Sequence, residues 1–210
     1  MQITLLGATG PTGQQVLTQA LEGGHGVTAL VRDPARLPQR GGSRVTVITG
    51  DATVAGDVAG AVAGSDAVIS ALGPGKDFKS TLATRTTAAL LPAMATGKAK
   101  RLVWLSALGA GNSSRQQSVV QAAASKLLMG KLMADKGVAD GELEAGAPNC
   151  TVVLPVMLTN GPRTAAYKVV DADTHTGRIG GRISRADVAD YLLGAATGKY
   201  EAKGRVVLTR

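Results

Sequence analysis

Residues 7–13 read Gly7-Ala8-Thr9-Gly10-Pro11-Thr12-Gly13, directly after the apolar run 3–6. Three glycines at i, i+3 and i+6 between a strand and a helix form a turn that lays backbone N–H groups against a pyrophosphate. Gly7 suits the tight exit from the strand, Gly10 leaves no Cβ between phosphate and backbone, and Gly13 lets the helix pack close to the sheet. Pro11 fits the first helical turn, where its missing N–H costs nothing. Thr9 and Thr12 belong to the same cofactor-binding set. The chemistry expected of this turn is dinucleotide binding.

Arg32 stands at the tip of the second apolar run, 27–31. An acid at that tip accepts from a ribose 2′-OH, whereas a base there receives a 2′-phosphate, to which arginine presents a planar fork. Asp33 has two readings: the acid of an NAD site, or the start of a turn with Pro34. The second is favoured, so NADPH is the expected cofactor over NADH. Arg36 is either a further phosphate ligand or a solvated arginine. After the third run, 45–48, Asp51 and Ala52 fall where an adenine would lie; the Asp51 carboxylate either accepts from the adenine amino group or takes a nearby N–H as a turn residue. The small-residue loop Ala71-Leu72-Gly73, followed by Pro74-Gly75, lets a cofactor backbone pass close by.

Ser106, after the fifth run at 102–105, is the candidate catalytic residue. It would hold a nicotinamide carboxamide or donate to a substrate carbonyl, with Ala107 and, after a later run, Pro155 as further cofactor contacts. A Tyr-x-x-x-Lys pair, which sets a phenol and an ammonium on one helix face for proton transfer, is missing: none of Tyr167, Tyr191 and Tyr200 has lysine four residues on. There is no G-x-S-x-G elbow and no P-loop. His25 precedes the second strand at the wrong sheet end, and His175 reads as a surface residue. The single Cys150 makes no internal disulfide, and no His/Cys cluster has metal-ligand spacing.

These residues need strands to carry them. Short β-branched runs at 3–6, 27–31, 45–48, 67–72, 102–105 and 151–154 alternate with Ala- and Leu-rich helical patterns at 11–23, 54–63, 80–97 and 117–145. The last of these is expected to break at Gly130, Gly137 and Gly141. The pattern predicts an α/β fold, a doubly wound parallel (Rossmann) sheet in one domain over residues 1–210. Residues 156–184, with one strand at 167–170, are expected to form the substrate side, led by Met157 and Leu158. A helix at 185–196 and a strand at 205–208 close the domain.

The formal net charge of +8 raises the question of nucleic acid. The basic residues are scattered and aromatics are few, one Phe, one Trp and three Tyr, so no base-stacking platform is expected. No apolar run is long enough for a membrane span and no leader is evident, which reads as a cytoplasmic protein. The expected state is a monomer or weak homo-oligomer.

The turn at 7–13, the segment Val31-Arg32-Asp33-Pro34-Ala35-Arg36-Leu37, Gly50-Asp51, Leu105-Ser106-Ala107, Val153-Leu154-Pro155 with Leu158-Thr159 and Gly161-Pro162, and the tail Ile183-Ser184-Arg185-Ala186-Asp187-Val188-Ala189 together resemble the atypical short-chain dehydrogenase/reductases. The nearest likeness is to the NAD(P)H-binding branch of the flavin and biliverdin-IXβ reductases, with NmrA-like proteins as cousins. The resemblance implies a compact reductase that passes hydride from NADPH to flavins, quinone-like dyes or linear tetrapyrroles, acceptors that need no strong general acid. It also implies that Gly10, Thr12 and Gly13 hold the pyrophosphate, Arg32 the 2′-phosphate, and Ser106 the nicotinamide side. Where that branch has a histidine two residues after a proline, this chain has Met157, which donates no proton. The NmrA-like cousins imply an alternative, a non-enzymatic NADP(H)-binding redox sensor.

Overall fold

The computed structural model describes residues 1–38, 42–75, 77, 80–116, 119–147, 149–200 and 204–210. Five βα steps build the frame. The strands are β1 (Gln2–Leu6), β2 (Gly26–Val31), β3 (Val45–Thr49), β4 (Ala67–Ser70), β5 (Arg101–Leu105), β6 (Cys150–Pro155), β7 (Met157–Thr159), β8 (Lys168–Asp171), β9 (Arg182–Ser184) and β10 (Gly204–Thr209). The helices are α1 (Pro11–Glu22), α2 (Ala55–Val62), α3 (Leu82–Thr96), α4 (Val119–Gly146) and α5 (Arg185–Thr197). Every predicted strand and helix is present, with ends shifted by one or a few residues.

One eight-stranded sheet runs in the order β3-β2-β1-β4-β5-β6-β10-β8, parallel except for β8, which runs antiparallel to β10. The central strands are buried on both faces, as the unbroken apolar runs require. The edges differ: β3 and β8 are largely exposed or half-buried, and β8 is only four residues long. Helices α1 and α5 pack together on one face, and α2, α3 and α4 pack in succession on the other. The chain winds outward in both directions from β1 and β4, which lie side by side with Leu6 opposite Ser70. That switch point opens a crevice beyond the strands' carboxyl ends.

Three details depart from the sequence pattern. Strand β4 stops at Ser70 rather than residue 72, although the Ala71 N–H still donates to the Leu6 carbonyl (2.9 Å). Helix α4 is interrupted once, at Met129 beside Gly130, with φ −133° and ψ 19°. Gly137 and Gly141 do not break it. A Cβ on Gly137 would stand 2.7 Å from the Gly111 backbone nitrogen, so that glycine serves close packing of a neighbouring segment. Residues 156–184 hold more order than expected: β7 and β9 form a separate parallel pair, with Met157 opposite Arg182 and Leu158 opposite Ile183.

Gly13 is the tightest point of the frame. A Cβ there would lie 2.0 Å from the Gly7 carbonyl oxygen and 3.0 Å from the Ala8 Cα, both backbone atoms that cannot rotate aside. Gly13→Ala should therefore cost about 1–3 kcal/mol as the start of α1 is displaced, measured by urea unfolding, whereas Gly10→Ala, whose Cβ would meet only the Gly7 oxygen at 3.3 Å, should cost clearly less.

Candidate functional site

The turn between β1 and α1 lies at the switch point. Gly7 holds φ +85°, and a Cβ on it would stand 2.8 Å from the Ala71 carbonyl carbon and 2.9 Å from the Leu72 nitrogen. The exit of β4 thus presses against the exit of β1, and only glycine allows both the turn and the approach. The Gly10 N–H donates to the Gly7 carbonyl oxygen (3.0 Å), closing the turn, and Gln14 Nε2 donates to the Thr9 carbonyl oxygen (3.2 Å). Gly10 is the N-cap of α1, Pro11 follows, no side chain caps the helix, and its first turn has no acid. Thr12 and Gly13 are buried beneath the turn. The helix's positive end and first N–H groups have no side-chain cap, an arrangement suited to an anion, while the space that Cβ atoms on Gly7 and Gly13 would fill is taken by neighbouring backbone. Gly13 gains its closeness from the turn's own Gly7 carbonyl, more than from the sheet that the sequence suggested.

At the tip of β2 the two candidates separate. Asp33 Oδ1 accepts from the Ala35 N–H (3.0 Å) and caps the single helical turn Pro34–Arg36, so its carboxylate is used locally. Arg32 is exposed and forms no ion pair among the described residues; Arg36 ends the turn, also exposed. Asp51 Oδ1 accepts from the Thr53 N–H (2.8 Å) and Thr53 Oγ1 (2.9 Å), the geometry of a turn residue, with Ala52 buried beside it. The Thr53 N–H, chiefly, holds the Asp51 carboxyl below its usual range, and the charges of Arg32 and Arg85 lower it further. Arg85, which also donates to Thr53 Oγ1 (2.9 Å), brings a second guanidinium to this rim from the start of α3. The sequence gives no sign of it, because Arg85 follows 32 residues after Thr53.

Beyond β4 and β5 lies a cleft lined by Leu72, Gly73, Pro74, Leu82, Ala83, Trp104, Leu132, Asp135 and Lys136. Asp135 is committed to the start of α3, accepting from the Ala83 N–H (2.8 Å), the Thr84 N–H (3.2 Å) and Thr84 Oγ1 (2.7 Å). Lys136 is buried and its Nζ donates to the Leu105 carbonyl oxygen (3.3 Å); burial lowers the pKa of its ammonium, while Asp140 and Asp135 oppose that shift. Ser106 is buried at the end of β5, where its Oγ donates to Asp140 Oδ2 (2.7 Å). Leu132 and Lys136 are four residues apart on α4 and share the cleft. They occupy the spacing of a Tyr-x-x-x-Lys pair, with the ammonium kept and leucine in the place of the phenol. The sequence marks the pair only weakly, because Leu127 also stands four residues before Lys131 in the same helix.

On the other side, Pro155 ends β6, buried, with its carbonyl accepting from the Leu108 N–H (3.3 Å), while Ala107 is half-buried. Met157 opens β7 and is 60 % exposed; Leu158 is half-buried. A polar cavity of about 260 Å³ adjoins the start of α1, lined by Pro11, Gln14, Gln15, Asn160, Gly161, Arg185 and Ala186. Arg185 Nη1 donates to Asn160 Oδ1 (2.6 Å) there. His25 lies before β2, away from the crevice, and His175 in the turn after β8. Among the described residues no group of His, Cys, Asp or Glu could hold a metal ion, and no helix is long and apolar enough to cross a membrane.

This geometry agrees with what known proteins show. A family described as NAD(P)H-binding matches residues 7–199. The chain belongs to this NAD(P)H-binding family. Its fold is shared by ChuY, an anaerobilin reductase from Escherichia coli O157:H7 (TM-score 0.83, 22 % identity, covering 100 % of this chain and 97 % of that one). It is shared also by a short-chain dehydrogenase/reductase from Veillonella parvula solved in complex with NADP (TM-score 0.84, 19 % identity, 100 % and 94 % covered) and by the oxidoreductase ylbE from Lactococcus lactis (TM-score 0.84, 20 % identity, 100 % and 91 % covered). The NAD(P)H binding indicated by the motifs is thus what the family match shows, and these structures share the fold.

Proposed function

We propose that this chain is an NADPH-dependent reductase that passes hydride to a small, electron-poor aromatic acceptor such as a flavin, a quinone or a linear tetrapyrrole. The observation that carries the proposal is Leu132 four residues before the buried Lys136, in the cleft beside the glycine turn. In this reading Gly7, Thr9, Gly10, Pro11, Thr12 and Gly13 cradle the pyrophosphate, and Arg32, with Arg36 and Arg85 nearby, receives the 2′-phosphate. Asp51 and Ala52 flank the adenine, and Ala71, Leu72, Gly73, Ser106, Ala107 and Pro155 border the nicotinamide half. Residues 156–184, with Met157 and Leu158 at their head, bound the acceptor.

The bound reduced nicotinamide supplies a hydride, two electrons and one proton together. The chain's task is to hold the donor carbon against the acceptor and to keep water out. Lys136 places a positive charge beside the cleft, where an acceptor that takes hydride becomes anionic. Leu132 offers that acceptor an apolar wall and no proton, which suits acceptors that stabilise the added charge themselves and not simple carbonyls. The anaerobilin reductase and the NADP-bound reductase among the structural relatives support the acceptor class and the cofactor.

Two measurements test this. NADPH oxidation followed with FMN, riboflavin and a quinone should show turnover with at least one; tight NADP(H) binding with no turnover would favour the redox-sensor alternative. Arg32→Ala should weaken NADPH binding about tenfold to a hundredfold, the worth of a charged hydrogen bond, and leave NADH nearly unchanged; equal losses for both cofactors would remove Arg32 from the phosphate role.

A further inference from the structure

Asp140 is the most deeply buried carboxylate near the cleft, 3 % exposed, one helical turn beyond Lys136. One oxygen, Oδ2, accepts from Ser106 Oγ at 2.7 Å; the other, Oδ1, is buried with no partner among the described residues. Burying an ionised carboxylate with one oxygen unpaired is costly. Ser106 has one hydroxyl proton. While Asp140 is ionised that proton is committed to the carboxylate, and Ser106 offers its surroundings only lone pairs.

We propose that Asp140 is a positioning residue: by holding the Ser106 hydroxyl proton it makes Ser106 an acceptor, matched to the amide N–H of a nicotinamide carboxamide and mismatched to an acceptor's carbonyl oxygen. The inference rests on the NADPH-reductase reading and narrows it, since of the two roles open to Ser106 only carboxamide binding survives. Lys136 supports the arrangement by tying its ammonium to the Leu105 carbonyl, one residue before Ser106. The charged and titratable groups facing Asp140 are Lys136 and Glu144 on α4, Arg205 on β10 and Cys150 on β6. Burial raises the Asp140 carboxyl to about 6, the Ser106 hydrogen bond and the charges of Lys136 and Arg205 pull it down, and Glu144 pushes it up. Above that value the carboxylate accepts. Below it the protonated carboxyl can itself donate to Ser106 Oγ and free the serine proton.

The test compares binding of NADPH with that of its 3-acetylpyridine analogue, in which a methyl group replaces the carboxamide amine. Dissociation constants are measured by calorimetry in the wild type, S106A, D140A and D140N. At neutral pH the wild type should prefer NADPH by about fivefold to tenfold, the worth of one hydrogen bond, and the preference should shrink as pH falls through about 6. S106A should bind both compounds alike, and D140A should discriminate less than the wild type, because its freed hydroxyl can also donate to the carbonyl that both compounds carry. D140N, whose amide oxygen still accepts, should keep the preference and lose its pH dependence. A preference undiminished in D140A, or a D140N profile that still falls with acid, overturns the inference; should D140A not fold, the D140N profile decides alone. A wild type that binds NADPH but does not discriminate also overturns it while leaving the reductase reading intact, and a wild type that binds neither compound overturns both.

Discussion

The whole site hangs on a contact that leaves no room for a methyl group. The Gly7 carbonyl lies where a Cβ on Gly13 would be, and the Ala71–Leu72 backbone lies where a Cβ on Gly7 would be. These approaches bring the exits of β1 and β4 together with the start of α1. A turn so compressed has no side chains to satisfy the helix's N–H groups, and none caps it. The close packing that folds the chain therefore also leaves an unneutralised helix end facing the crevice, and an anion is the natural complement.

Around this fixed point the chain sorts its charges by role. Asp33 and Asp51 sit at strand tips, yet each accepts from a backbone N–H two residues on. That leaves guanidinium groups to set the character of this rim. Across the switch point the charges are buried. Asp135 caps α3, Lys136 holds the end of β5, and Asp140 holds Ser106. All three come from one stretch of α4, so that helix connects the cleft's wall, its cation and its serine. Leucine at position 132 then separates this cleft from one that could pass a proton through a phenol.

How much of this could be read from the sequence depended on the range of the interactions. The turn at 7–13, the β-branched runs and the Asp33-Pro34 turn are local, and each declares itself in a few consecutive residues. The pairing of Met157 with Arg182 and the reach of Arg85 to Thr53 are tertiary, and nothing near those residues announces them. Gly137 illustrates the same limit: in sequence it resembles a helix breaker, while in the fold it makes room for the Gly111 backbone. Lys136 and Asp140, spaced i to i+4, look like an ordinary solvated helix pair. Only the fold shows that they are buried and that the Leu105 carbonyl and Ser106 are their respective partners. Short strands in a Gly- and Pro-rich stretch, β7 and β9, escaped for a related reason, since three residues carry too little periodicity to be recognised.

The central claim is that the chain positions a nicotinamide for hydride transfer with no proton moving in the same step. Single-turnover oxidation of NADPH by a flavin or quinone, with NADPH deuterated at C4 and in light or heavy water, addresses it directly. The account predicts a clear rate reduction from the deuterated cofactor and none from heavy water. A substantial solvent isotope effect on that step, or the absence of any effect of the C4 label on a step resolved as chemistry, would contradict it.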